Sequence, residues 1–195
     1  NHRSYLDPLV IGYALAARGR PGRFLGKSEL FESRGSKELV EAMGTIPVFR
    51  GTGSDEPLAQ AAAALEADEL VVILPEGTIP RGSAFFEPEL DFKPGTARLA
   101  AQTGAPVIPM GLWGTEAVWP RNARVPAVAL PWEQPPVSIA IGPAVKLKHK
   151  SEKADTRRIR DAVVDQLPPE AREQRIPTDA ELAATYPDGK IPDGD

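Results

Sequence analysis

Cysteine is absent from the 195-residue chain. Its absence excludes a thiol nucleophile, a disulfide framework and any metal site with cysteine ligands. Histidine is almost as scarce, since only His2 and His149 are present, so few side chains can act as a base near neutral pH. Long apolar runs are also missing. The longest aliphatic run, residues 70–74, has the length of one buried strand and falls far short of the ~20 residues that span a bilayer.

Positive charge is not in excess either. The net charge is −4 and the sequence pI is about 5.4, which argues against a nucleic-acid partner held by a general positive field. Hydrophobic residues make up 42% of the chain, enough for a real core, and the length suits one domain. The chain begins at Asn1 with no initiator methionine and no signal-type segment, so we expect further residues upstream of it.

Strands and helices alternate along most of the chain, which predicts an α/β fold whose sheet is covered on both faces. The predicted strands are residues 23–26, 46–49, 70–74, 106–110 and 137–141. The predicted helices are residues 9–18, 35–42, 57–67, 95–103 and 155–166. From residue 168 the chain is rich in Pro, Asp and Glu, so we predict one domain over residues 1–167 and a loosely ordered tail over 168–195.

His2 and Asp7 are the first candidates for a reactive pair. They cannot share one face of a helix, because five residues advance an ideal helix by about 500°. They can meet if His2 lies in a loop and Asp7 opens the helix, and a carboxylate there would orient the imidazole as a base. Asp7 followed by Pro8 is equally typical of an ordinary helix cap. His149 lies in a basic run (Lys-Leu-Lys-His-Lys) typical of a solvated surface.

Other polar residues follow two predicted strands. Glu76, Gly77 and Thr78 come after the most hydrophobic strand, at the end where open α/β sheets place their ligand crevice, and Arg81 comes soon after. The same residues also fit a plain β-turn. Arg50 ends another strand, where a guanidinium can bind a phosphate or simply be solvated.

Taken in order, these segments resemble the glycerolipid acyltransferase family, which includes the 1-acylglycerol-3-phosphate acyltransferases. Its N-H-x-x-x-x-D block is similar to NHRSYLD here, its glycine-to-arginine strand block to GTIPVFRG, its F-P-E-G-T-R-S block to LPEGTIPRG, and its aliphatic-Pro block to VIP. The segments KSELF and FKPGTARLA between the blocks also match, so the resemblance covers roughly residues 1–145. It departs from the family where Ile79 and Pro80 replace Arg and Ser, with Arg81 two places late, and in an added stretch at residues 83–92.

The resemblance implies a mixed, mainly parallel α/β sheet flanked by helices and an acyl transfer from acyl-CoA or acyl-carrier protein to a lysophospholipid hydroxyl. His2 would be the base and Asp7 its partner. Lys27, Arg50 and Arg81 would bind the acceptor phosphate, and Glu76, Gly77 and Thr78 would hold the acceptor hydroxyl. No metal and no other cofactor is implied. We expect 1-acylglycerol-3-phosphate as acceptor and a peripheral place on the cytoplasmic face of the cell membrane.

Three alternatives stay open at this point. The first is an acyltransferase for another acceptor, such as a mannosylated glycolipid or glycerol-3-phosphate, because the first and third blocks are shared across those branches. The second is a lipid-binding module without turnover. The third is a hydrolase in which water replaces the alcohol.

Overall fold

A computed structural model describes residues 1–32, 36–49, 55–127 and 135–192. The helices are α1 (Asp7–Ala16), α2 (Ser36–Ala42), α3 (Glu56–Glu66), α4 (Gly95–Thr103), α5 (Thr115–Val118), α6 (Glu152–Val164) and α7 (Asp179–Ala184). The strands are β1 (Gly22–Lys27), β2 (Ile46–Val48), β3 (Leu70–Val72), β4 (Met110–Trp113) and β5 (Ser138–Ile141). Short 3-10 turns cover Ser28–Phe31, Gly82–Phe85 and Pro169–Ala171.

The chain divides into two compact units. The site unit consists of Asn1–Asp7, Pro75–Lys93 and Val107–Asp195, and the sheet unit of Pro8–Leu74 and Pro94–Pro106. Each unit therefore takes up more than one stretch of sequence, and each is described by itself below.

The sheet unit contains a three-stranded parallel sheet in the order β2-β1-β3. Leu25 of β1 is opposite Ile46 of β2, and Gly22 of β1 is opposite Leu70 of β3. Parallel pairing requires a crossover connection between strands, and the helices between these strands in the sequence provide it. The predicted α/β architecture with parallel strands is confirmed here.

Small side chains hold the helices of the sheet unit close together. In α3 the alanines Ala61, Ala62 and Ala64 are almost fully buried, and Ala61 and Ala62 form a core with Ile46 of β2 and Leu99 of α4. Alanine favours the helix and also allows a close approach of neighbouring backbones. The alanine-rich sequence therefore determines both the helix and its packing.

The site unit contains an antiparallel pair, with Met110 of β4 opposite Ile141 of β5. The end of α6 lies directly against β4, because a Cβ added to Gly111 would come within 2.7 Å of the Gln166 carbonyl oxygen. Ile159 and Val163 form the buried face of α6, and Leu112 of β4 is also almost fully buried. Glycine at position 111 thus makes room for the helix end.

Two predictions about the elements are wrong. The strand expected at residues 106–110 begins only at Met110, because Pro106 and Pro109 have no backbone N–H to give to a ladder. Residues 168–192 are more ordered than their composition predicts. They contain α7, which begins with a capping box between Thr178 and Glu181, and the buried Thr185 hydroxyl accepts a hydrogen bond from the Gly82 N–H at 2.8 Å. The domain boundary at residue 167 stays a prediction.

The described part of the chain includes no helix with both the length and the apolar character needed to cross a bilayer.

Candidate active site

His2 and Asp7 meet in the structure. His2 Nδ1 lies 2.8 Å from Asp7 Oδ2, and the side chains are 16% and 0% exposed. The contact is possible across a spacing of five residues because His2 lies in the loop before α1 and Asp7 is the first residue of that helix. The imidazole is therefore partly accessible, while the carboxylate behind it is fully buried.

The Asp7 carboxylate is held by donors from several directions. Its Oδ2 accepts hydrogen bonds from the backbone N–H groups of Arg3 (2.6 Å) and Ser4 (2.9 Å), and its Oδ1 accepts one from the Thr115 hydroxyl at 2.5 Å. These bonds run to the loop and to Thr115, so Asp7 is not the helix cap that Asp-Pro predicts. It instead fixes the loop that carries His2.

These contacts keep Asp7 ionised. Burial by itself would raise the pKa of the Asp7 carboxyl, but the hydrogen bonds from His2, Thr115 and Ser4 outweigh it and hold the pKa below its ordinary value. An ionised carboxylate is an acceptor only, so it selects the His2 tautomer with a proton on Nδ1. That tautomer leaves the lone pair of Nε2 available to take a proton.

One segment, residues 112–119, contacts most of the polar side chains of the NHRSYLD motif, and we name it the backing segment. The Asn1 side chain donates to the Leu112 carbonyl (2.9 Å) and accepts from the Leu112 N–H (2.8 Å). The Ser4 hydroxyl donates to the Trp119 carbonyl at 2.7 Å. Together with Thr115 on Asp7, these bonds attach both ends of the motif to the backing segment.

Arg3, the neighbour of His2, is fixed by the same segment. Its Nε donates to Glu116 Oε1 at 2.8 Å, and its guanidinium lies 4.1 Å from the centre of the Phe85 ring and 4.9 Å from that of Trp113. Phe85 belongs to the added stretch at residues 83–92. This stretch therefore packs on the arginine beside His2.

Glu76 lies next to His2, but in a different relation from the predicted one. Its Oε1 accepts the backbone N–H of His2 at 2.7 Å, and the residue is only 6% exposed. Burial raises the pKa of the Glu76 carboxyl, against the hydrogen bond from His2, which acts in the opposite direction. Glu76 thus holds the backbone of His2, and its predicted contact with an acceptor hydroxyl stays a prediction.

The remaining predicted residues are less closely placed. Gly77 and Thr78 are exposed, and Arg81 is exposed at a cavity of about 430 Å³ that the C-terminal residues Tyr186 and Lys190 also line. Lys27 is the half-buried last residue of β1 in the sheet unit. Arg50 lies outside the described residues.

Residue 79, where the sequence departs from the family pattern, has a buried side chain in the structure. Ile79, which replaces an arginine of the family pattern, is 3% exposed, and its carbonyl accepts a hydrogen bond from the buried Arg121 guanidinium. The position is therefore a packing position in this chain, and the predicted phosphate contact at Arg81 remains untested.

Sequence reasoning missed Thr115, Glu116 and the backing segment as a whole. No spacing in the sequence indicates them, because they are more than 100 positions from the motif. A weak signal is the Gly114-Thr115 pair directly after an aliphatic strand, since glycine there permits a sharp change of direction.

Residues 1–113 match a protein-family model described as Acyltransferase. The 1-acyl-sn-glycerol-3-phosphate acyltransferase BAT2, chloroplastic, of Brassica napus is 30% identical over 130 residues, which cover 64% of this chain and 34% of that protein. The 1-acyl-sn-glycerol-3-phosphate acyltransferase LPAT1, chloroplastic, of Arabidopsis thaliana is 29% identical over 126 residues, covering 64% and 33%. The chain spans about a third of the length of the curated relatives it matches.

The fold is similar to that of a solved structure. The crystal structure of the 1-acyl-sn-glycerophosphate (LPA) acyltransferase PlsC from Thermotoga maritima superimposes with a TM-score of 0.54 at 23% sequence identity, over 85% of this chain and 63% of that one. At this identity the likeness is one of fold.

Proposed function

Because this chain belongs to the glycerolipid acyltransferase family, we propose that it transfers a fatty acyl group from a thioester to the hydroxyl of a lysophospholipid. The observation that carries the proposal is the His2–Asp7 pair, with Nδ1 and Oδ2 2.8 Å apart and the carboxylate fully buried. An alcohol is too weakly acidic to attack a thioester unaided, and a positioned histidine supplies the base that the reaction needs.

In the proposed reaction, His2 Nε2 takes the proton of the acceptor hydroxyl as the oxygen attacks the thioester carbonyl. The new C–O bond forms, the C–S bond breaks, and the proton passes from His2 to the leaving thiolate. Asp7 keeps the imidazole in the required tautomer and stabilises the imidazolium between the two proton transfers. The thioester itself supplies the driving force of the proposed reaction, and the proposed steps use only the side chains of His2 and Asp7.

The acceptor that we propose is 1-acylglycerol-3-phosphate, and the donor is acyl-CoA or acyl-carrier protein. Support comes from the two plant relatives, whose names specify that acceptor. Lys27, Arg50 and Arg81 are the cations that we propose for its phosphate, since guanidinium and ammonium groups bind phosphate oxygens. Gly77 and Thr78 are exposed in the loop after Glu76, and with Glu76 they are the residues that we propose for the acceptor hydroxyl.

We also propose a peripheral place at the cytoplasmic face of the cell membrane. The reasoning rests on the substrates, because the lysolipid and the acylated product both belong to a bilayer.

A direct assay of the purified chain tests the function. The chain is incubated with one acyl-CoA and a panel of acceptors (lysophosphatidic acid, glycerol-3-phosphate, a mannosylated glycolipid and water alone), and the lipids are analysed. His2→Ala is expected to lower transfer about 10²–10⁴-fold, the usual worth of general-base catalysis, while His149→Ala serves as the matched control.

Each other outcome has a distinct meaning. Transfer to a different acceptor corrects the substrate, and free fatty acid without acylated lipid indicates a hydrolase. Lipid binding without any turnover in the wild type contradicts the enzymatic proposal altogether.

A further inference from the structure

The far oxygen of Asp7 has a partner that none of the four motif blocks contains. Asp7 Oδ1 accepts a hydrogen bond of 2.5 Å from the hydroxyl of Thr115, a residue with 0% exposure. Thr115 lies two residues beyond the segment that the family model matches, which ends at residue 113. The contact therefore joins the NHRSYLD motif to a residue outside the matched segment.

The position of Thr115 is fixed by its surroundings. It follows Gly114, whose φ of +87° belongs to the left-handed region and whose added Cβ would come within 2.1 Å of the Pro136 carbonyl oxygen. The strand before it, β4, is bonded to the Asn1 side chain at Leu112 on both its N–H and its carbonyl. The hydroxyl thus reaches Asp7 from a rigid support.

We propose that Thr115 is a positioning residue for the His2 base, and that its hydroxyl holds the Asp7 carboxylate so that Oδ2 faces His2 Nδ1. This inference rests on the proposed acyl transfer. Several ionisable groups lie around His2. Asp7 contacts the ring, Glu76 accepts the backbone N–H, and Arg3 with its partner Glu116 lies beside them.

The physical reason is that the two oxygens of the Asp7 carboxylate accept hydrogen bonds from different donors. Oδ2 accepts from the His2 ring and from two backbone N–H groups, whereas Oδ1 accepts from Thr115. If the hydroxyl is removed, Oδ1 becomes a buried acceptor without that donor, and the carboxylate gains by turning away from His2 toward other partners. The imidazole then loses its contact with Asp7 Oδ2 and, with it, its fixed tautomer.

The first measurement compares Thr115→Val with Thr115→Ser in the acyl-CoA and lysophosphatidic acid assay. Valine keeps the shape without the hydroxyl, and serine keeps the hydroxyl. We expect Thr115→Val to lower kcat about 10–100-fold with little change in acceptor KM. This factor corresponds to the loss, in the transition state, of one hydrogen bond to a charged group. Thr115→Ser retains most of the turnover.

Thr103→Val is the matched control, because the Thr103 hydroxyl also makes hydrogen bonds, to the Leu99 carbonyl and the Ala105 N–H, but lies in α4 of the sheet unit. It is expected to lower the melting temperature without lowering kcat. Wild-type kcat in folded Thr115→Val overturns the inference. Should Thr115→Val not fold, Thr115→Ala takes its place in both measurements.

The second measurement does not depend on turnover. Histidine labelled with ¹⁵N leaves only two imidazole rings to assign, those of His2 and His149, and His149→Ala identifies them. In Thr115→Val we expect the ¹⁵N shifts of His2 to show a mixture of the two neutral tautomers, since a misaligned carboxylate no longer selects the proton on Nδ1. Thr115→Ser keeps the wild-type tautomer.

The outcomes are separable. An unchanged His2 tautomer in Thr115→Val overturns the positioning role. Wild-type protein without acyl transfer contradicts the proposed function, and the labelled histidine still decides the role of Thr115 in that case.

Discussion

The Asp7 carboxylate is a buried anion, and its location determines much of the local chemistry. Its donors come from the loop before α1, from the ring of His2 and from Thr115 after β4. A buried anion with too few donors would become protonated, whereas this one has its pKa held below the ordinary value. The same bonds that keep the charge also fix the direction in which it faces.

Asp7→Asn tests the orienting role of that charge. The amide keeps the shape and one acceptor oxygen, but the amide NH2 facing His2 favours the tautomer with its proton on Nε2, which removes the base. We expect kcat to fall by about 10⁴-fold, as when the buried aspartate of a serine-protease triad is replaced, with the fold retained. Turnover assays and circular dichroism measure the two effects, and wild-type turnover in this variant would contradict the role of Asp7.

The Glu76 carboxyl makes the stability of the fold depend on pH in the direction opposite to that of the Asp7 carboxyl. Burial raises its pKa in the folded chain, so the group favours folding most below its unfolded value and costs stability once pH rises through the folded value. Glu76→Gln keeps an oxygen for the His2 N–H and carries no charge. We therefore expect this variant to gain stability relative to the wild type as the pH is raised from about 4 to about 7.

Urea unfolding at the two pH values measures that difference directly. If the variant and the wild type differ in free energy of unfolding by the same amount at both pH values, folding does not raise the pKa of the Glu76 carboxyl. Its burial would then have no pH-dependent effect on stability. The Asp7 contribution runs the other way and is lost only as the pH falls through its lowered pKa, so the two carboxyls are distinguishable in one titration.

At the scale of elements, the backing segment determines how the motif is presented. It begins in β4 and turns at Gly114 into the single turn of α5, so that a strand, a tight bend and a helix start bring three kinds of contact to one loop. A strand or a helix alone could not do this, because side chains on one element point in a repeating set of directions. The bend is the part that makes the arrangement possible.

Gly114→Ala is expected to disturb that bend strongly. Alanine at a φ of +87° is strained, and its Cβ would also meet the Pro136 carbonyl oxygen at 2.1 Å. Gly104 at the end of α4 is the matched control: its φ is +70°, but nothing lies within 4 Å of an added Cβ. Gly104→Ala should cost about 1–2 kcal/mol from backbone strain alone, and Gly114→Ala should cost clearly more.

Chemical unfolding of the two variants checks the ranking. Equal losses of unfolding free energy in the two variants would mean that the atoms around Gly114 move aside at little cost. That result would also weaken the case for Thr115 as a rigidly supported residue.

How far the sequence predicts these elements depends on whether the signal is local. Helix α4 and the strands of the sheet unit follow from alanine, aliphatic runs and flanking glycines, and the sequence predicts them within a few residues. The prolines at 106 and 109 displaced one strand, and the Thr178–Glu181 capping box produced a helix in a segment whose composition predicts disorder. The spacing of His2 and Asp7 only allows their contact, and the resemblance to the acyltransferase motif is what predicted it. The contact of Thr115 with Asp7 was not predictable, because only the folded chain brings residue 115 to residue 7.

For the whole molecule, the distribution of charge matters more than its sum. The net charge of −4 opposes adsorption to an anionic membrane. Local clusters must therefore provide any attraction. The described residues include two exposed clusters of cations, Arg18 and Arg20 in the sheet unit, and Lys146, Lys148, Lys150 and Lys153 in the site unit. The proposed lipid substrate has to reach His2, so we predict membrane contact for the lysine cluster, which belongs to the same unit as His2.

Vesicle sedimentation tests this assignment. Replacement of the four lysines by glutamine is expected to lower binding to phosphatidylserine-containing vesicles at least tenfold, since each lysine near such a surface contributes about 1 kcal/mol, and the wild-type binding should weaken as salt is added. Arg18→Gln with Arg20→Gln is the matched control and should bind as the wild type does.

Because the lysines lie apart from His2 and Asp7 in sequence and form no part of the proposed proton transfer, the quadruple variant should keep its turnover on lysophosphatidic acid dispersed in detergent and lose it only on vesicles. Binding that is insensitive to salt, or lost through the arginine pair instead, would place the membrane contact in the sheet unit and separate it from the unit that carries the base.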